Sequence, residues 1–282
     1  MPCHPANSAE PHPTAPAPLG NAEAVSLLGV DYLRLKTADG GDLYLTRFGA
    51  PFHEHLDPAN WHAPGWFAER RTRLPGTSVI YRVPTQPVRG VSANLVVRFS
   101  RVGEEVPIDM LTRCQNTNTE FNCPFEEFAL VMELRAGRPG PARPRIFTKK
   151  PLAIFVPSER FRLLQMGRLE SIIAAKLARH PEVELDILRS YILLYGWIEG
   201  LNAAQTVAMF PGTGQFHEGF LAEMTRCAVR DLEQRGFRML DIKPEHLILR
   251  VLRDGSPLRR RSGQIAYALV DYELLERGQE TS

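Results

Sequence analysis

The sequence predicts a mixed α+β chain, on three observations. Stretches rich in Val, Ile, Tyr and Phe recur with period two, other stretches repeat apolar residues at three- and four-residue steps, and turn-forming residues separate them. A chain of 282 residues can bury one or two substantial cores. The formal net charge of +2 supplies no electrostatic footprint for nucleic acid. The longest apolar run, "YILLYGWI" at 191–198, is far short of the about 20 residues that span a bilayer, so no membrane span is expected. Cys3, Cys114, Cys123 and Cys227 form no CxxC pair and read as free, reduced thiols, which fits a cytoplasmic chain.

The elements follow in order. Residues 1–24 are rich in Pro, Ala and polar residues and lack the apolar centre of a signal peptide, so a disordered tail is expected. Residues 25–73 hold a hairpin, "VDYLRLKTADGGDLYLTRFG", turning at Asp39-Gly40-Gly41, and then a cover segment carrying Trp61, Trp66 and Phe67 among prolines. "GTSVIYRV" and "ANLVVRFSRV" read as paired strands, "PFEEFALVMELRAG" as a helix opening at Pro124, and "RIFTKKPLAIFVP" as a strand or hairpin. "RLESIIAAKLARHP" is a helix with apolar Leu169, Ile172, Ile173 and Leu177 that Pro181 closes, and "YILLYGWIEG" a buried strand ending at Glu199-Gly200. Phe220, Met224, Ala228 and Leu232 mark one face of a long helix with Gly236 at its C-terminal cap position. "HLILRVL" and "QIAYALVDYELL" flank the turn-rich, basic "RDGSPLRRRSG" as an extended hairpin ending at Asp271. His53, His55 and His62 lie close in sequence, but at no metal-ligand spacing.

The chemistry concentrates in "RGFRMLDIKPEHLILR", residues 235–250, where Asp241, Lys243 and His246 sit between a helical run and a strand. A carboxylate on such a loop can take a proton from an acceptor hydroxyl, and an ammonium two residues later can balance charge on a migrating phosphoryl group. Asp271 at a strand end can offer hard oxygen to Mg²⁺. Each also has an ordinary structural reading: Asp241 as a turn-capping acid, Lys243 as a solvated lysine, Asp271 as the partner of an arginine among Arg259 to Arg261.

In this order the pieces resemble the protein-kinase-like fold across about residues 74–275. "LPGTSVIYRV" looks like the phosphate-covering strands, "LVVRF" like the strand of the nucleotide lysine, "ARHPEVEL" like the turn after the αC helix, "LLYGWIEG" like the hinge strand, "MLDIKPEH" like the catalytic loop and "LVDYE" like the metal-binding DFG site. The resemblance implies an α+β, bilobal kinase-like architecture: a strand-rich N-lobe at 74–198 with an insertion at about 104–158, and a short, truncated helical C-lobe at 199–282.

The resemblance also implies ATP and Mg²⁺ as cofactors, with Asp241 and Lys243 catalytic and Asp271 and His246 toward the metal. Arg98, Glu170, Gly76, Thr77, Ser78 and Glu199 would meet the nucleotide. Glu170 is expected to hold Arg98, with Glu126, Glu127 and Glu133 as alternatives. Departures accompany it. His246 stands where kinases place Asn, as it does in lipopolysaccharide core heptose kinases. Arg98 stands in place of Lys, and a planar fork does not simply replace a point charge; Lys149 or Lys150 are candidates to act instead. Gly76 is the only glycine of its loop, and "DYE" lacks the DFG glycine. Eleven residues follow Asp271, too few for a peptide-docking platform, so the expected acceptor is a hydroxyl on a small molecule or sugar. The alternative is a pseudokinase, a nucleotide-sensing or protein-binding module without turnover.

Overall fold

Alternation on either side of Asp39-Gly40 folds into a meander of β1 (Glu23–Leu27), β2 (Val30–Lys36) and β3 (Asp42–Leu45), with Leu33 opposite Leu45 and Leu35 opposite Leu43. The computed structural model describes residues 22–107, 119–136, 146–162, 165, 167–210, 216 and 219–278; residues 1–21 of the expected tail, Cys3, Cys114 and part of the expected insertion lie outside them. The meander does not stand apart as a separate unit. β3 pairs with β8 (Pro151–Val156), and β8 with β9 (Ile192–Gly196). The sheet continues through β6 (Asn94–Phe99) and β5 (Ile80–Pro84) to β4 (Thr72–Arg73), giving eight antiparallel strands in the order β1-β2-β3-β8-β9-β6-β5-β4. The physical reason is β8, "PLAIFV": it is buried on both faces and its two edges need partners.

Side chains alternate between two cores. Leu95 and Val97 of β6 face a cluster with Leu43, Leu45, Val83, Phe155 and Leu194, and the proline-rich 50–70 segment covers it with Leu56, Trp61 and Phe67. Trp61 is fully buried and its indole N–H donates to the Leu56 carbonyl at 3.0 Å, so the ring enters the core with its polar edge satisfied. That segment includes α1 (His53–Leu56) and α2 (Pro64–Arg70).

The other face takes Val96, Ile154 and Tyr195 and packs against α3 (Pro124–Ala136), whose Phe128, Val131 and Leu134 are fully buried. Phe125 of α3 meets Tyr32 and Tyr44 edge-on, with centroids 5.8 and 5.1 Å apart. Between β8 and β9 the chain makes α4 (Glu170–Arg179), so this helix belongs to an excursion late in the sheet, and α3 is the helix between β6 and β8 among the described residues. Lys176 of α4 reaches Glu126 of α3 at 2.9 Å.

After β9 the chain crosses to β10 (Leu201–Asn202), α5 (Ala203–Met209) and the amphipathic α6 (Phe220–Gln234). Asn202 and Gln205 form a reciprocal capping box at the start of α5, and Gly236, with φ +76°, follows the end of α6 in the left-handed conformation expected there. Then come β11 (Phe237–Met239), β12 (Leu247–Leu249), β13 (Tyr267–Leu269) and β14 (Leu275–Arg277). β7 (Phe147–Thr148) joins a second sheet, β10-β12-β13-β7, where it runs parallel to β13; β11 and β14 pair separately. The chain is therefore mixed α+β with a large antiparallel sheet. No helix among the described residues is long and apolar enough to cross a membrane.

Candidate active site

Two strand registers build the site. β11 delivers the loop 240–243, and Pro244 opens a short 3₁₀ turn, Pro244–His246, that leads into β12. β12 pairs antiparallel with β13 with Leu247 opposite Leu269, so His246 falls opposite Val270, whose N–H donates to the His246 carbonyl at 3.1 Å. The same register places His246 Nε2 3.4 Å from Asp271 Oδ2. The turn therefore sets the distance between the loop and the strand end thirty positions from Asp241.

Asp241 and Asp271 both line one cavity of about 380 Å³. Gly76, Thr77 and Ser78 line it from the β4–β5 turn, Trp197, Ile198 and Gly200 from the crossing between β9 and β10, and Lys149, Lys243 and His246 complete its charged side. Asp241 is buried, and the Lys243 ammonium lies 2.7 Å from its carboxylate. Gly200, at φ +148°, brings its backbone so near β12 that an added Cβ would lie 2.4 Å from the Leu249 carbonyl oxygen. A larger cavity of about 700 Å³ is lined by Trp197, Glu199, Lys150 and Arg250, and neither acid reaches it. Glu199 belongs to that cavity, not to the one holding the acids.

Arg98 is buried and is not among the residues lining the acidic cavity. β6 turns it, with Val96, toward α3, where its guanidinium pairs with Glu127 and lies 3.2 Å from Glu273 and 3.6 Å from Asp271. The Tyr195 hydroxyl donates to the other Glu127 oxygen. Glu170, expected to hold Arg98, is instead exposed at the first turn of α4; the helix facing β6 is α3, so its Glu127 makes the contact. The clue available in sequence was order, since "PFEEF" comes after the Arg98 strand and before "RLESIIAAKLARHP".

Sequence reasoning weighed Glu127 as an alternative but passed over Glu273. Ser78 donates to it at 2.7 Å, joining the β4–β5 turn to the segment after Asp271, and burial together with the Asp271 charge pushes its carboxyl up to about 7. Asn122, just before α3, donates to the carbonyls of Tyr272 and Leu275 at 3.1 and 2.7 Å and ties the helix to the same segment. Burial alone would raise the Asp271 carboxyl, but the charges of His246, Arg98 and Lys149 hold it below the usual range. Arg260, one of the arginines weighed as a partner for Asp271, lies 3.3 Å from Asp231 of α6.

Lys149 reaches the cavity from the other direction. It follows β7, whose Thr148 is opposite Leu269 of β13, so the parallel register sets Lys149 beside Val270, one residue short of Asp271. Its backbone N–H donates to the Tyr272 hydroxyl at 2.8 Å, and its ammonium lies over the Tyr195 and Tyr272 rings at 4.7 and 5.4 Å from the centroids. Burial, then the Arg98 charge, lowers its pKa to about 7, against the pull of Asp271 and Glu273.

The donors present suit a shared divalent ion better than a protein-only cage. No group of three His, Cys, Asp or Glu that could hold a metal occurs among the described residues. Mg²⁺ ordinarily keeps waters and takes one or two carboxylates plus substrate phosphates, and Asp271 with a nearby His246 supplies that much protein. His246 Nδ1 is buried without a hydrogen-bond partner.

No protein-family model matches the chain, and no curated protein matches it. Among solved structures it is similar to WaaP in complex with acyl carrier protein, with 10% identity over 85% of this chain and 74% of that one. The TM-score of this comparison is 0.38.

Proposed function

We propose that the chain is a kinase-like phosphotransferase that binds ATP with Mg²⁺ in the 380 Å³ cavity and moves the γ-phosphoryl group to a hydroxyl, on a small molecule or sugar in preference to a peptide. The observation that carries this reading is the convergence of Asp241 and Asp271 on one cavity that the Gly76–Ser78 turn also lines. Its volume falls in the range of small-ligand pockets, about 300–1,000 Å³. The strand order β8-β9-β6-β5-β4, with α3 between β6 and β8 and the β12–β13 pair after the Asp241 loop, fits a bilobal kinase-like arrangement.

In this reading the acceptor oxygen attacks the γ-phosphorus, the bond to the β–γ bridging oxygen breaks, and ADP leaves. Asp241 takes the acceptor proton, and Lys243, already at 2.7 Å from that carboxylate, balances charge as the phosphoryl group moves. Asp271 and His246 would hold Mg²⁺, which supplies charge neutralisation along the phosphates when bound. Thr77 and Ser78 line the cavity and would offer backbone amides to the phosphates, and Trp197 and Ile198 of the same lining would offer an apolar wall to the base.

One observation favours a second reading, a nucleotide-sensing or protein-binding module without turnover: Arg98 is engaged by three acids and does not line the cavity. Thermal unfolding with Mg²⁺-ATP separates the readings, because a ligand that binds the native state raises the midpoint by mass action. The wild type is expected to gain several degrees at millimolar Mg²⁺-ATP, Asp271→Asn none, and ATP consumption is expected to depend on an added hydroxyl acceptor. The absence of any rise in the wild type would remove the phosphotransferase and the nucleotide-sensing module and leave only a protein-binding one. A rise with no consumption across a panel of small hydroxyl acceptors would select the second.

A further inference from the structure

A phosphate-binding cleft needs a cation that faces the ligand, and the cation of β6 does not. Arg98 is directed behind the cavity, with its guanidinium held between Glu127 of α3 and Glu273 after β13. It joins three elements there, and turning it toward a ligand would leave Glu127, fully buried, without its charge partner.

Lys149 has the complementary properties. It lines the cavity, only 5% of its surface is exposed, and its ammonium lies over two tyrosine rings. Desolvating an ammonium is costly, and a ligand oxygen in the cavity would offset that cost. Three constraints hold it there: the parallel register of β7 on β13, the bond from its own N–H to the Tyr272 hydroxyl, and the rings of Tyr195 and Tyr272 along its side chain. The Tyr272 hydroxyl in turn donates to the Leu269 carbonyl, so the lysine is registered to the strand that ends at Asp271.

We propose that Lys149, entering from the turn before β8, is the phosphate-binding cation of this cleft, and that Arg98 is a positioning residue that fixes α3 and the 271–273 segment. This rests on the proposed nucleotide site and assigns the phosphate contact within it. The consequence is a cleft in which the ligand cation and the α3 carboxylate no longer form a pair with each other, so nucleotide contact is uncoupled from the position of α3.

The test uses the full chain. An ATP derivative carrying an acyl phosphate, whose electrophilic carbonyl sits at the phosphate end, is expected to acylate Lys149 in the wild type, and excess ATP is expected to protect it. Lys149→Met is expected to bind Mg²⁺-ATP at least about tenfold more weakly while adenosine affinity changes less than twofold, since a lost charge-assisted bond acts only through the phosphates. Labelling confined to Lys243, or a Lys149→Met chain that binds Mg²⁺-ATP as tightly as the wild type, would overturn the assignment and leave the proposed function standing. A wild type that binds no Mg²⁺-ATP would overturn both. The labelling arm uses unaltered protein and so decides the matter even if the variant does not fold.

Discussion

Arg98 and Glu127 form a buried ion pair behind the cleft, joining β6 to α3, with the Tyr195 hydroxyl on the second carboxylate oxygen. Charges this deep are held by their partners, and removing one leaves the other uncompensated. Glu127→Ala is expected to destabilise the protein by about 3–5 kcal/mol. The double variant Arg98→Met/Glu127→Leu should recover most of that loss, and Glu170→Ala should change stability by less than about 0.5 kcal/mol. Urea unfolding of the four proteins checks this, and a large effect at Glu170 with none at Glu127 would contradict the pairing.

Lys149 predicts a pH dependence of stability. Its folded pKa of about 7 lies below the ordinary value of 10.5, so between those values the folded protein binds fewer protons than the unfolded chain. The sign follows from linkage: its contribution to stability rises with pH across that window, and its penalty is fully present below pH 7. Lys149→Met should therefore be more stable than the wild type in the absence of ligand, with the largest difference near pH 6–7 and little near pH 10. Denaturant midpoints measured from pH 6 to pH 10 give the comparison. A constant difference would show that Lys149 is not desolvated in the free protein.

Gly200 and Gly236 both have positive φ, +148° and +76°, yet only Gly200 is crowded. An added methyl at Gly236 meets nothing within 4 Å, whereas at Gly200 it would lie 2.4 Å from the Leu249 carbonyl oxygen and 2.8 Å from Ile248 Cγ2. Gly236→Ala is expected to cost about 1 kcal/mol through backbone strain, and Gly200→Ala clearly more. Because Gly200 and Ile248 both line the cavity, Gly200→Ala should also weaken Mg²⁺-ATP binding, while Gly236→Ala should not. Thermal melts with and without the nucleotide separate the two effects.

Asp241→Asn is expected to part from Asp271→Asn in its phenotype. It should keep the nucleotide-dependent rise in melting temperature and lower turnover by about 10²–10⁴-fold, since it removes a proton acceptor and not a metal donor. Steady-state kinetics with the melting assay would expose the contrary case, in which both variants lose binding alike.

Much of the architecture was legible from local pattern. The β2–β3 hairpin, the paired strands of Val83 and Val97, α3, α6 and the loop of Asp241 each carry their own period or turn chemistry, and each formed where that pattern lay, whereas β1 begins at Glu23, inside the stretch expected to be tail. The late hairpin delivered Asp271 to the loop for the same reason, since the pairing of β12 with β13 fixes which residues face one another. Harder to read was which helix faces which strand. "RLESIIAAKLARHP" is the cleaner amphipathic repeat, but α4 arises from an excursion between β8 and β9, and the less regular α3 takes the place opposite Arg98.

By itself, the sequence determined the succession of strands and helices and the three polar residues of the loop, because these depend on neighbours a few positions away. Only the tertiary structure decided the ownership of charge: Arg98 for Glu127, Ser78 for Glu273, Lys149 for the cavity. Those pairings join positions 29, 195 and 122 residues apart, the last counted from Lys149 to Asp271, across packed faces. A buried charge takes whichever opposite group the packing brings within reach, and that is a property of the folded chain alone.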